Sequence, residues 1–166
     1  PYNNFVHDSC LTQNYLLYFL LPYEVPLESM PKFLTGQLPY GKLYEWNPHK
    51  KAMLRVHSKI DLKLKWNIEL PEALSLYHLV DAHEEIPLRV SDGSKNGDDD
   101  ASTVLKVRVA QLYSPDQPAD RVALEDQFSD QMRVEGQRLY TKLVEHTFLL
   151  RANGTASLDH TRDLAD

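Results

Sequence analysis

The sequence predicts a mainly β fold. Its apolar residues recur in short, partly alternating runs rather than at the three-to-four spacing of an amphipathic helix. Most of these runs are rich in Tyr, Val, Leu and Ile, the residues that fit a pleated, half-buried surface. The 10 prolines and the turn-forming pairs Asn47-Pro48, Asp92-Gly93 and Asn96-Gly97 punctuate the runs at about the spacing of an all-β sandwich, barrel or propeller.

Taken in order, the expected strands are Leu16 to Leu21, Gly41 to Trp46, Met53 to His57, Leu62 to Ile68, Ser75 to Val80, Leu105 to Ala110 and Leu139 to Leu150. The longest apolar stretch, around Tyr15 to Tyr23, falls far short of the roughly 18 residues that a membrane-spanning helix needs. Between Ser91 and Thr103 the residues are Ser, Asp, Gly, Lys, Asn, Ala and Thr with nothing to bury, so 91–103 is expected to be a solvated loop. Its acidic run Asp98 to Asp100 lacks the spaced oxygen ligands and closing Glu of a calcium loop. The polar end, Asn153 to Asp166, is expected to fray or to form a strand whose partners lie elsewhere. No internal repeat stands out at the level of motifs, so spacing alone does not select a propeller.

A length of 166 residues, with 42% hydrophobic and 25% charged residues, fits a single soluble globular unit. The net charge of -6 and the scattered Lys and Arg exclude a nucleic-acid footprint, which needs clustered cations. The single cysteine, Cys10, excludes an internal disulfide and fits a reducing compartment or a framework that does not use disulfides. Asn153-Gly154-Thr155 has the form of a glycosylation sequon, but no secretory signal accompanies it. The chain opens at Pro1 without Met or a basic, apolar leader, which points to an internal fragment, 1–166 being one partial domain.

Seven histidines occur, at positions 7, 49, 57, 78, 83, 146 and 160, and none forms the close pair of a local zinc motif. A metal assembled from distant strands leaves no such spacing. Glu84 shares a strand face with Ala82, so its carboxylate is expected to point inward, while His83 alternates to the opposite face.

Three blocks carry a family resemblance. His7-Asp8-Ser9-Cys10-Leu11-Thr12-Gln13-Asn14-Tyr15 is followed by an apolar strand ending at Pro22. Tyr44-Glu45-Trp46-Asn47-Pro48 precedes a short strand at Met53 to His57, and Leu76-Tyr77-His78-Leu79-Val80-Asp81-Ala82-His83-Glu84-Glu85 forms the third. In order and spacing these resemble the His-Asp-x-x-hydrophobic-Thr-x-Asn-Tyr, aromatic-x-Trp-x-Pro and aromatic-His-x-x-Asn-Ala-aromatic-Glu-Glu segments of the carotenoid cleavage oxygenases, the family that also includes lignostilbene dioxygenases and the retinal pigment epithelial membrane protein. Ser9, Asp81 and His83 depart from the family pattern, and a fainter fourth block spans Glu125 to Tyr140.

The resemblance implies part of a seven-bladed β-propeller, about two to three blades, with Fe(2+) on its axis held by histidines from several blades. It assigns His7 as a metal ligand, with the remaining ligands outside the chain, and it gives His78 no ligand role. Glu84 corresponds to a glutamate that binds the distal nitrogen of an iron-bound imidazole, where a carboxylate fixes the ring's tautomer and orientation. The implied activity is dioxygen-dependent cleavage of a carbon-carbon double bond in a carotenoid, apocarotenoid or stilbene-like substrate, giving carbonyl products, by an intracellular protein that is soluble or in peripheral contact with a membrane. A fragment with one ligand is expected to be inactive by itself. A metal-free propeller-derived binding module and the isomerohydrolase branch of the same family remain open.

Overall fold

Alternation along the chain sets the architecture. A computed structural model describes residues 6–47, 49–71, 74, 76–85, 101–113 and 140–164. These form β1 (Ser9–Leu11), β2 (Tyr15–Leu20), β3 (Tyr23–Glu24), α1 (Ser29–Leu34), β4 (Glu45–Trp46), β5 (Met53–Ser58), β6 (Leu64–Glu69), β7 (Leu76–Glu85), β8 (Ala101–Tyr113), β9 (Tyr140–Arg151) and β10 (Ala156–Asp163).

Two four-stranded antiparallel sheets result, ordered β1-β2-β5-β6 and β7-β8-β9-β10, and β3 pairs with β4 as a small ribbon. Leu17, Phe19, Leu54 and Val56 from the first sheet and Leu105, Val107, Val109, Val144, Phe148 and Leu150 from the second share one core. Each such side chain contributes roughly 1.5 to 3 kcal/mol by leaving water. At the sheet margins β1 lies against β7, and β6 against β10. Two stacked four-stranded meanders of this kind are blades of a β-propeller.

Most strand ends shift from the sequence expectation, β7 reaching Glu85 rather than Val80 and β8 reaching Tyr113 rather than Ala110, and three differences concern whole turns. Within Gly41 to Trp46 only Glu45–Trp46 is strand, because Pro39 opens a 3-10 turn at Tyr40–Lys42 closed by the Leu43 N–H on the Tyr40 carbonyl at 3.0 Å. Leu62 is not in a strand but closes the β5–β6 hairpin with φ 54, and its N–H donates to the Ser58 carbonyl at 2.9 Å. Ala101 to Thr103, expected to end the solvated loop, begin β8; residues 91–100 lie outside the described residues, as do residues 125–139 of the faint fourth block.

The helix α1 is an addition. Pro31 sits in its first turn, where the missing N–H costs nothing, and Gly36 at φ 73 supplies the left-handed stop. The polar end does form a strand, and its partner is within the chain, since β10 pairs with β9 along most of its length.

Candidate functional site

The first and third sequence blocks meet at the seam between the sheets. β7 is an edge strand, so alternate N–H groups have no ladder partner. One of them, on Leu79, donates to Asp8 Oδ2 at 3.1 Å, while Asp8 Oδ1 accepts the Ser9 N–H at 2.8 Å. The β7–β8 register shifts between Leu76 and His78 and again between Leu79 and Asp81, so His78 and Leu79 are bracketed by irregularities of the kind that re-aim side chains.

The outcome is a pair of imidazoles. His7, just before β1, and His78 have ring centres 5.6 Å apart at 40°. His78 Nδ1 lies 3.5 Å from Asp8 Oδ2. Both rings are exposed on the side away from the core. Metal-to-imidazole bonds are about 2 Å long, so two rings this close can serve one small ion, and two neutral nitrogen donors suit a ferrous one. Among the described residues no group of three or more His, Cys, Asp or Glu stands together in a way that would hold a metal.

Glu84 reaches back across the same seam. It accepts from the Asn14 N–H at 2.8 Å, from Asn14 Nδ2 at 2.6 Å and from the Thr12 hydroxyl. Thr12 in turn closes the β1–β2 turn, its N–H donating to the Tyr15 carbonyl at 2.9 Å and its Oγ1 accepting from the Tyr15 N–H at 3.1 Å. Among the described residues the partners of half-buried Glu84 are thus this turn rather than an imidazole. His83 faces the other way, with its Nε2 3.2 Å from Glu85 Oε1.

The second block is structural. Asn47 closes the β3–β4 ribbon, its N–H on the Pro22 carbonyl at 2.8 Å and its Nδ2 on Glu24 at 3.3 Å, and Lys50 completes the cluster at 3.0 Å from Glu24. The Lys50 and Asn47 hydrogen bonds hold the Glu24 carboxyl below its usual range.

The other histidines lie apart from this pair. His146 is buried beside Phe19 and Phe148, and burial pushes its pKa down to about 4. His160 contacts Thr147 and Asp159, and His49 is exposed. On the outer face of the second sheet Glu145, only 3% exposed, bonds Arg108 at 3.0 Å and Arg162 at 2.8 Å. Burial alone would raise the Glu145 carboxyl, but these guanidinium groups hold it below the usual carboxylate range.

Beside β1 the face of the first sheet turned away from the core borders a cavity of about 670 Å³. Val6, next to His7, lines it together with Leu16, Leu20, Met30, Leu43 and Arg55. Spacing could not reveal this cavity, because its wall is drawn from β2, β5 and the α1 segment. The nearness of His78 to His7 was not legible for the same reason: the two are 71 residues apart in the sequence and adjacent only after the sheets stack.

Comparison with known proteins bears on the family and the fold. The sequence matches the retinal pigment epithelial membrane protein family over residues 1–163. A Synechocystis apocarotenoid oxygenase variant superposes with a TM-score of 0.58 at 14% identity, covering 97% of this chain and 27% of that one. The Pseudomonas brassicacearum lignostilbene dioxygenase gives 0.51 at 17% identity, covering 96% of this chain and 28% of that one. The chain therefore spans little more than a quarter of the length of these enzymes, and the likeness is one of fold. No curated protein is a detectable relative by sequence.

Proposed function

Since the chain belongs to the retinal pigment epithelial membrane protein family, we propose that it supplies two iron-binding imidazoles, His7 and His78, to a non-haem iron(II) dioxygenase. That enzyme would cleave a carbon-carbon double bond of a carotenoid, apocarotenoid or stilbene-like substrate with O2 to give two carbonyl products. The observation that carries this reading is the pairing of the two rings, with their centres 5.6 Å apart. Ferrous iron, when bound, supplies the redox chemistry by which dioxygen reacts with the double bond.

The chain's own residues have separate tasks. His7 and His78 donate neutral nitrogens, and any further ligands come from outside the described residues. Asp8 ties the two ring-bearing segments together through the Leu79 N–H and stands near His78 Nδ1, where a carboxylate helps to orient the ring. Among the described residues Glu84 holds the turn behind His7.

No helix among the described residues is long and apolar enough to cross a membrane. Leu27, Leu34 and Tyr40, on either side of or ending α1, are 88%, 75% and 57% exposed, which supports peripheral contact with a membrane surface from which such a substrate would come.

The test is iron content and dioxygen-dependent cleavage of a carotenoid and a stilbene by the full-length protein that carries this chain, with His7→Ala and His78→Ala alongside. Stoichiometric iron and carbonyl products in the parent, with both lost in each variant, are expected. An iron-free, inactive parent would favour a metal-free binding module instead.

A further inference from the structure

We propose that Asp8 and Glu84 act together as positioning residues: they fix how far β1 can slide along β7, and with it the separation of His7 and His78. The proposal rests on the reading of those two histidines as metal ligands and adds what holds them in register.

The two rings belong to different sheets. β1 is the edge of one and β7 the edge of the other, and among the described residues no ladder pairs them. Within a sheet, backbone hydrogen bonds set the register of neighbouring strands, and side-chain alternation makes a slip costly. Across this seam neither device operates. Midway along it the small Cys10 side chain meets the backbone at Ala82, a contact with little to interlock.

β1 and β7 run side by side in the same direction, since Asp8 meets Leu79 and Thr12 meets Glu84. His7 and His78 stand together at the start of the pair, so sliding one strand along the other changes their separation almost one for one. Metal-to-imidazole bonds are about 2 Å long, and a working site tolerates displacements of about 0.5 Å. The register therefore has to be set by side chains.

Two carboxylates set it. Asp8 Oδ2 accepts the Leu79 N–H at 3.1 Å, at the end that carries the rings. A single attachment there leaves the strand free to pivot. Glu84 makes the second attachment, five residues beyond Leu79 on β7 and about 17 Å along the strand. Its Oε1 accepts the Asn14 N–H at 2.8 Å and the Thr12 hydroxyl, and its Oε2 accepts Asn14 Nδ2 at 2.6 Å. Hydrogen bonds to a carboxylate are short and strong, and one stretched to about 3.6 Å is no longer a bond, so this grip leaves less than ~1 Å of travel. The gripped turn is itself fixed to its own sheet. The Lys59 N–H donates to the Asn14 carbonyl at 2.9 Å and Lys59 Nζ to the Thr12 carbonyl at 3.0 Å, so the β5–β6 hairpin shares any pull on Glu84.

The test is the dissociation constant for ferrous iron, measured without oxygen by competition with a chromogenic chelator, on the full-length protein that carries this chain. Wild type is compared with Glu84→Ala, Glu84→Gln and Asn14→Ala. Val56→Ala, which opens the core of the first sheet away from the seam, controls for lost stability alone. Glu84→Ala is expected to bind iron about tenfold more weakly, Glu84→Gln to recover part of that and Asn14→Ala to fall between, while Val56→Ala keeps the wild-type affinity. Wild-type affinity in a folded Glu84→Ala, or an equal loss in Val56→Ala, would overturn the role of the two carboxylates and leave the histidine pair standing. A wild-type parent that holds no iron would overturn the metal reading and this inference with it. Circular dichroism reports whether each variant is folded, and if Glu84→Ala is not, Glu84→Gln and Asn14→Ala decide.

Discussion

Glu84 concentrates three hydrogen bonds on a turn some 70 residues away, from Asn14 N, Asn14 Nδ2 and Thr12 Oγ1. Truncation would leave three donors without their acceptor, one of them part-buried, so Glu84→Ala is expected to lose about 1 to 2 kcal/mol in urea unfolding, with Glu84→Gln recovering part. Thr12→Ala combined with it should show a coupling of at least about 0.5 kcal/mol. His146 gives a second residue-scale prediction. Its folded pKa of about 4 lies below the unfolded value near 6.5, so between those limits the unfolded chain binds more protons and stability falls as pH falls. The loss on going from pH 7 to pH 4 should approach about 3 kcal/mol, and His146→Leu should flatten that profile when unfolding is measured across the range. The motifs placed His7 and Glu84 in the first and third blocks, but the contact between those blocks was not legible. The approach of His78 to His7 comes from a register shift and from stacking of two sheets, neither of which leaves a mark in local spacing.

Among the elements, the strands were legible because their apolar residues alternate, as Leu54 and Val56 do in β5. The short α1 was not, since six residues give less than two turns of periodicity, and its signals were only the Pro31 start and the Gly36 stop. The β5–β6 hairpin places Leu62 at φ 54, a conformation that disfavours a branched side chain and yields little in return, because Leu62 is 67% exposed. Leu62→Gly is therefore expected to be neutral or stabilising by up to about 1 kcal/mol in thermal unfolding. Phe19, 1% exposed where β2 meets the second sheet, should behave oppositely. Phe19→Ala is expected to lose about 3 to 5 kcal/mol by the same measurement.

At the scale of the whole chain, two similar four-stranded sheets follow one another without a recognisable sequence repeat, because a shared blade geometry requires alternation and turns but not particular side chains. In the relatives of known structure this region is only 27% to 28% of the molecule. Alone, the chain presents sheet faces that neighbouring blades cover in a closed propeller, with Leu11 62% and Val80 52% exposed on β1 and β7. Its sedimentation coefficient is expected to rise with concentration, and a constant monomer value in analytical ultracentrifugation would count against that. The Leu79 N–H has a further use. It leaves its own sheet to reach Asp8 on the other, so its proton is sheltered only while the two sheets stay together. Its deuterium exchange rate, followed by NMR, would time the parting of the two blades directly, independent of whether either blade has melted.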